Sequence, residues 1–312
     1  MKEKKYLIIG AGGTGGVIGA YMAQAGRDVT LIARGEHLRA LAENGLRLER
    51  MWKNDSLNIS IGACTEEEYL GSGARADVIF VCVKSYSLAD VLPLIGRAEH
   101  CDTVVIPILN VYGTGGKLQE ELSALTVTDG CIYVSANIKE PGVIAQHGKI
   151  CRLLFGRRDH RTDDRRLQAV RDDLQASGID GIYTDNIQRE ALKKFSYVSP
   201  AGAAGLYCDA TAGDFQQEGP AREMFIAMVR EIEALAGAMG IDLGEDMVEA
   251  NLRIMKGLPP ETTTSMQRDV YQGRQSEADG LVYEVVRLGH RYGVPVPAYE
   301  KAAARLRERT DQ

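Results

Sequence analysis

The chain lacks the cysteine and histidine patterns of metal and redox sites. Its six cysteines (Cys64, Cys82, Cys101, Cys131, Cys151 and Cys208) are widely spaced, with no C-x-x-C pair. Its five histidines (His37, His100, His147, His160 and His290) are scattered, with no close-spaced ligand pair. Neither a zinc site nor a thioredoxin-like motif is signalled, so no metal is expected. Aromatic residues make up only 6%, too few for a surface that stacks single-stranded nucleic acid. A basic stripe is also missing: 37 Lys+Arg against 43 Asp+Glu leave a net charge of -6. Binding by phosphate neutralisation is therefore disfavoured, and no nucleic-acid partner is expected. No apolar run approaches the roughly 18 residues that span a bilayer. Met1-Lys2-Glu3-Lys4-Lys5 leads into an apolar stretch too short for a signal peptide. Together these absences point to a reduced, cytoplasmic setting away from membranes.

What is present is an ordinary soluble balance, 45% hydrophobic and 26% charged, over 312 residues. That length is about twice the roughly 150-residue prior for one domain, and it can bury a substantial core without disulfides or metals. The first half alternates short apolar runs with helical patterns. Tyr6-Leu7-Ile8-Ile9, Asp28 to Ala33, Ala76 to Val83 and Thr103 to Leu109 read as strands, the last two apolar enough for burial on both faces. Weaker strand signals cover Leu46 to Leu48, Leu57 to Ile61, the stretch from Cys131 to Phe155, and Ile182-Tyr183. Helices are expected through about Gln24, from about Glu36 to Glu43, and near Asp163 to Ala176. This alternation predicts a doubly wound α/β domain over residues 1–186. From about Ile187 the pattern becomes successive amphipathic helices, broken at Gly213, Gly240-Ile241, Pro259-Pro260 and Gly293–Pro297. Residues 187–312 are thus expected to form an all-α domain, its tail from Glu300 to Arg309 a charged amphipathic helix whose charge run reads as a solvated face.

Gly10-Ala11-Gly12-Gly13-Thr14-Gly15 fits G-x-G-x-x-G directly after a strand and at the opening of a helix. Gly10 permits the tight turn, Gly12 lets backbone approach a pyrophosphate, and Gly15 lets helix and strand pack closely. The helix N-terminus, including Gly13, presents free N–H groups to the phosphates. A Rossmann-type dinucleotide site is the reading, against a merely structural glycine turn. At the end of the second strand, where an NAD site carries Asp or Glu, stands Ala33-Arg34-Gly35. A guanidinium there suits a 2′-phosphate, so NADP(H) is expected over NAD(H), with a plain surface arginine as the competing reading. Lys84 and Asn110 each follow an apolar strand, facing the crevice where open α/β sheets bind ligands, so both are candidate cofactor-binding residues. His147, in Gln146-His147-Gly148, reads as a turn residue rather than a catalytic base.

In the helical half, Glu190-Ala191-Leu192-Lys193-Lys194-Phe195 opens a helix, and Thr264-Ser265-Met266-Gln267-Arg268-Asp269 precedes Ser276-Glu277. With these segments the chain resembles the ketopantoate reductase family (2-dehydropantoate 2-reductases). The resemblance runs over nearly the whole length: the glycine loop, Arg34, Val83-Lys84, Leu109-Asn110, Pro141-Gly142-Val143-Ile144, Glu190 to Lys194, Ser265-Met266 with Asp269, and Glu277. It implies an NADPH-dependent reductase of a 2-oxo acid, nominally ketopantoate, in pantothenate synthesis. Lys194 matches the family's general acid, and lysine suits this because a partly desolvated ammonium shifts toward the working pH. Glu277 matches the carboxylate that orients the lysine. Ser265 and Asn110 match hydrogen-bonding positions for the substrate, and Lys84 a cation beside cofactor and substrate. Because Lys193 is adjacent, the register rests on the Glu190-x-x-x-Lys194 spacing.

The chain departs from the family where two asparagines usually follow the catalytic lysine four and eight positions on. Here those positions are Val198 and Gly202, which offer no side-chain hydrogen bond; Ser199 is the candidate to compensate. Val111 replaces the glycine that follows the family's strand-end asparagine. A reductase of another branched or bulkier 2-oxo acid is therefore a second reading, and a non-catalytic NADP(H) sensor a third. The apolar helices of the second half leave room for a homodimer. With the catalytic set split between the halves, closure over the substrate is an expectation.

Overall fold

The computed structural model describes residues 4–310. Along the chain the first strands are β1 (Lys5–Ile9), β2 (Asp28–Ile32), β3 (Leu46–Arg50), β4 (Asp55–Ile59), β5 (Gly62–Cys64) and β6 (Val78–Val81). There follow β7 (Val104–Pro107), β8 (Thr126–Val127), β9 (Asp129–Tyr133), β10 (Ala136–Glu140), β11 (Val143–Gln146), β12 (Arg152–Gly156) and β13 (Asp180–Tyr183). The helices among them are α1 (Gly13–Gln24), α2 (Gly35–Asn44), α3 (Glu66–Gly71), α4 (Leu92–Ala98), α5 (Thr114–Glu121) and α6 (Arg165–Ala176). All later elements are helical: α7 (Ile187–Cys208), α8 (Ala212–Gln216), α9 (Pro220–Ala238), α10 (Met247–Lys256), α11 (Ser265–Tyr271), α12 (Glu284–Tyr292) and α13 (Pro297–Thr310). A single π turn, Asp279–Tyr283, leads into α12. No helix among the described residues is long and apolar enough to cross a membrane.

The chain divides into two compact units. One runs through Leu109 and resumes at Gly113–Ile187; the other comprises Asn110–Tyr112 and the chain from Gln188 onward. In the first unit, the four strands expected from apolar runs (β1, β2, β6 and β7) form a parallel sheet with two short strands that the sequence did not signal, β5 and β8, in the order β5-β2-β1-β6-β7-β8. Every residue of β6 and β7 is buried, as expected where helices cover both faces. Chain order reverses between β1 and β6, the switch point at which such sheets bind ligands.

The weaker strand signals do not extend this sheet. They form a mixed four-stranded sheet, β10-β11-β3-β4, and a three-stranded one, β13-β12-β9. Here α1 lies between two sheets, which accounts for its glycines. A Cβ on Gly15 would run into the Gly10 carbonyl and stand 3.0 Å from Ile8 of β1, while one on Gly16 would stand 2.8 Å from Ile144 of β11. One helix face serves the parallel sheet and the other serves the mixed sheet.

In the second unit, a helical core is built around Phe225, Met228, Val229, Leu281, Val282 and Tyr299. The tail helix α13 is amphipathic, as expected: it buries Tyr299, Ala302, Ala303 and Leu306, and the Glu231 carboxylate accepts from its Ala298 and Tyr299 N–H groups. The expected break at Gly213 falls inside α8; the turn instead centres on Asp209, which takes a positive φ of 53°.

Pro200 lies inside α7. It has no N–H for the carbonyl four residues back, that of Ser196. Asn251 of α10, 1% exposed, supplies the missing donor: its Nδ2 donates to the Ser196 carbonyl at 2.8 Å and to Ser196 Oγ at 3.1 Å. Asn251→Leu keeps the branched shape but leaves that carbonyl buried and unmet, an expected loss of about 1–3 kcal/mol. A urea melt checks this, and an unshifted midpoint would mean that the Ser196 carbonyl finds another donor.

Candidate active site

Gly10, Arg34 and Lys84 follow the carboxyl ends of β1, β2 and β6, three neighbours in the parallel sheet. Gly10 takes φ 103°, and a Cβ there would lie 2.9 Å from the Cys82 carbonyl group, so the turn demands glycine. Gly12 is different: a Cβ would meet nothing within 4 Å. Its surroundings are open where a pyrophosphate would lie against the backbone. Gly13 is pressed against the Ala136 carbonyl of β10, so its missing side chain serves packing while its N–H stays at the helix end. No side chain caps α1, and its first turn holds no acid, which leaves its N–H groups and partial positive charge to an anion.

The N-terminus of α5 contrasts with this. There the buried Asp129 carboxylate accepts the Gly115 and Gly116 N–H groups, and burial raises that carboxyl above its usual range against the pull of Arg158. Arg34 occupies the N-cap position of α2 with extended backbone and is exposed. Among the described residues no salt bridge engages it. Lys84, half-buried, begins the short turn Ser85–Ser87. Open space at Gly12, an uncapped helix end and an unclaimed guanidinium fit a dinucleotide carrying a further phosphate.

A histidine that the sequence did not single out completes this corner. His37, in the first turn of α2, places Nε2 2.9 Å from the Ala11 carbonyl of the glycine loop. Its Nδ1 lies 3.0 Å from the Gly142 N–H in the β10–β11 turn. Burial lowers its pKa below the ordinary imidazole value, the Ala11 bond opposing. No spacing could have signalled it, because its partners stand 26 and 105 residues away.

The second unit carries a separate polar cluster. Lys194, half-buried on α7, donates from Nζ to Asn110 Oδ1 at 2.7 Å. Its neighbour Lys193 instead pairs with Glu245 at 2.9 Å, so the adjacent lysines divide between an internal amide and a surface carboxylate. Asn110 is held because the two residues after it are anchored. Val111 packs its methyls onto Gly280, and Tyr112 stacks obliquely with Phe195, ring centroids 6.1 Å apart. Val111, where the family's glycine stands, thus meets a glycine on the facing turn.

Glu277, 4% exposed, lies just ahead of that turn and accepts the Leu281 N–H through its carbonyl. Ser265 sits half-buried in the first turn of α11, whose start is fixed by reciprocal bonds between Thr264 and Gln267. Asp269 is held by Arg274 at 2.7 Å.

Ser199 does not stand in for a lost amide. Its buried hydroxyl is committed to the Leu281 carbonyl and the Tyr299 hydroxyl, both at 2.5 Å. The space beside Gly202 is filled: a Cβ there would meet the Met266 methyl at 2.6 Å. A thioether tip therefore occupies the ground an asparagine side chain at this position would need.

Of the remaining candidates, His147 faces Asn137 Oδ1 at 2.5 Å on an exposed edge. Consecutive His100, Cys101 and Asp102 bring donor atoms within 4.8 Å of one another, but His100 Nε2 is already bonded to Asp77. All six cysteines are free thiols, and burial pushes Cys82 and Cys151 up to about 12.

Comparison with known proteins agrees with this layout. A family model described as "Ketopantoate reductase PanE/ApbA" matches residues 6–160, and its C-terminal companion matches residues 186–310. The 2-dehydropantoate 2-reductase of Mesorhizobium japonicum is 28% identical over 331 residues, covering 97% of each chain. A crystal structure of a PanE/ApbA family ketopantoate reductase from Ralstonia eutropha superposes with a TM-score of 0.87 at 26% identity, covering 98% of each chain. A ternary structure of D-mandelate dehydrogenase with NADH and anilino(oxo)acetate superposes with a TM-score of 0.83 over 98% of each chain. At 21% identity that likeness is one of fold.

Proposed function

We propose a substrate class and a proton donor for this chain, which belongs to the ketopantoate reductase family. As a member it is an NADP(H)-dependent oxidoreductase acting on a CH–OH group and the matching carbonyl. The reading is reduction of a 2-oxo acid at C2, nominally 2-dehydropantoate to (R)-pantoate in pantothenate synthesis. It takes residues 1–186 as the dinucleotide-binding domain and 187–312 as the catalytic one. It also takes the protein as a cytoplasmic enzyme, working as a homodimer on a small-molecule substrate.

The observation that carries it is the half-buried Lys194 ammonium bonded to Asn110 at 2.7 Å. NADPH, when bound along Gly10, Gly12, Gly13, Gly15 and Arg34 with Lys84 at the neighbouring strand end, supplies a hydride to C2. Lys194 gives a proton to the carbonyl oxygen as its π bond breaks, so the alcohol forms and a neutral amine is left to be reprotonated from solvent. Asn110 holds that ammonium in place, and the carboxylate of Glu277 keeps it oriented. Asn110 and Ser265 offer donors to the substrate carboxylate.

A second reading differs only in the substrate, and Val198, the Met266 methyl at Gly202 and the committed Ser199 favour it. A surface without side-chain donors loses discrimination in favour of a substrate hydroxyl. Such a site suits a branched 2-oxo acid that lacks that hydroxyl.

A panel of ketopantoate, 2-oxoisovalerate and 2-oxoisocaproate assayed with NADPH separates the readings. Turnover of at least one member is expected. A higher kcat/KM for ketopantoate supports the nominal substrate, and a higher value for 2-oxoisovalerate supports the branched alternative. Tight NADPH binding with no member reduced would leave only a cofactor-sensing role.

A further inference from the structure

We propose that His37 is a positioning residue for the dinucleotide, acting through the peptide between Ala11 and Gly12. The inference rests on the reading of the glycine loop as a cofactor site. The imidazole is wedged between two backbone groups of opposite kind. The Gly142 N–H can only donate, so Nδ1, 3.0 Å away, accepts. The proton then sits on Nε2, which donates to the Ala11 carbonyl at 2.9 Å. Only the neutral Nε2–H tautomer satisfies both partners.

The consequence lies on the far side of the peptide. No cis bond occurs among the described residues, and in a planar trans peptide the C=O and N–H point in opposite directions. Fixing the Ala11 carbonyl toward His37 therefore turns the Gly12 N–H away from the ring. Gly12 is also the loop position where a Cβ would meet nothing within 4 Å, so no neighbour crowds the backbone beside that N–H. Ala11 is followed by two glycines, the residues with most backbone freedom to lose. Such a segment needs an external clamp if its N–H is to be set before the anion arrives, and preset donors bind more tightly.

The clamp is itself anchored. Gly142 takes φ 78°, and a Cβ there would stand 3.0 Å from Ala40 Cβ. Its carbonyl accepts the Arg47 N–H at 2.9 Å, so the β10–β11 turn is held to α2 and β3 independently of the imidazole. The first turn of α2 thus presents Arg34 outward and His37 inward. One helix start carries both the guanidinium for the extra phosphate and the group that orients the pyrophosphate loop.

Three variants in the full-length protein test this, each titrated with NADPH by fluorescence and assayed for turnover. Glutamine can place an amide N–H near the Nε2 position, and asparagine can place an acceptor near Nδ1. His37→Ala and His37→Asn are expected to raise the NADPH Kd roughly five- to tenfold, the worth of one ordinary hydrogen bond. His37→Gln should stay near the wild-type Kd, and kcat at saturating NADPH should be unchanged in all three. Rescue by asparagine and not glutamine would overturn the proposal, because the Gly142 bond alone would then matter. So would equal Kd values for the glutamine and asparagine variants, which remain informative if the alanine variant fails to fold. An unaltered Kd in His37→Ala would overturn it too. Wild-type protein that binds no NADPH would overturn the cofactor reading and this proposal with it.

Discussion

Lys194→Ala is expected to lower kcat by about 10²- to 10⁴-fold, the usual worth of a positioned general acid. The NADPH Kd should be unchanged, because the glycine loop and Arg34 belong to the other unit. The comparison that gives this result meaning is Lys193→Ala. Lys193 spends its charge on Glu245 at 2.9 Å, an exposed ion pair of the kind that contributes little, so its loss should leave turnover intact. Steady-state assays with the best 2-oxo acid measure both variants. Equal losses in the two would mean that the damage comes from α7 as a helix and not from one ammonium. Asn110→Ala should fall between them: it removes the Lys194 Nζ partner at 2.7 Å and leaves the ammonium present but less well aimed.

Arg34→Ala carries the second large expected effect. Hydrogen bonds to charged groups contribute about 1.5–3 kcal/mol, which corresponds to a rise of roughly 10- to 100-fold in the NADPH Kd. The NADH Kd should hardly move, since NADH has no 2′-phosphate for the guanidinium to meet. The first turn of α2 also contains Glu36, so the variant should bind NADH at least as well as NADPH. Kd values for both cofactors, measured at one fixed ionic strength, check this. Equal weakening toward both would mean that Arg34 supports the start of α2 and does not read the phosphate.

Much of this was legible in the chain because it is local. Strands buried on both faces announce themselves as unbroken apolar runs, as in β6 and β7. The glycine loop announces itself because, within six residues, its turn at Gly10 and its helix–strand contact at Gly15 forbid a side chain while Gly12 keeps its face open. The second unit reads as helices because its apolar spacing changes.

What was not legible depends on partners distant in sequence. Nothing near Leu46 or Val143 tells β3 to pair in parallel with β11 across about half of the first unit, so the mixed sheet does not show in the sequence as a sheet. His37 looks like one of five scattered histidines because the Ala11 carbonyl reaches it only through the folded glycine loop and the Gly142 N–H only through that mixed sheet. Asn251 acquires its role because a proline on another helix leaves Ser196 without a donor. Ser199 looked available because a sequence does not show which face of α7 meets Tyr299. Gly202 looked like a missing donor when it is also the seat of the Met266 methyl.

The central claim is that one ammonium, on Lys194, hands over the proton. Adding small primary amines to Lys194→Ala under saturating NADPH and 2-oxo acid tests it most directly. The expected result is a turnover rate that climbs with amine concentration, while Lys193→Ala gains nothing from the same additions. A Lys194→Ala enzyme that already turns over at the wild-type rate, with or without amine, would contradict the claim.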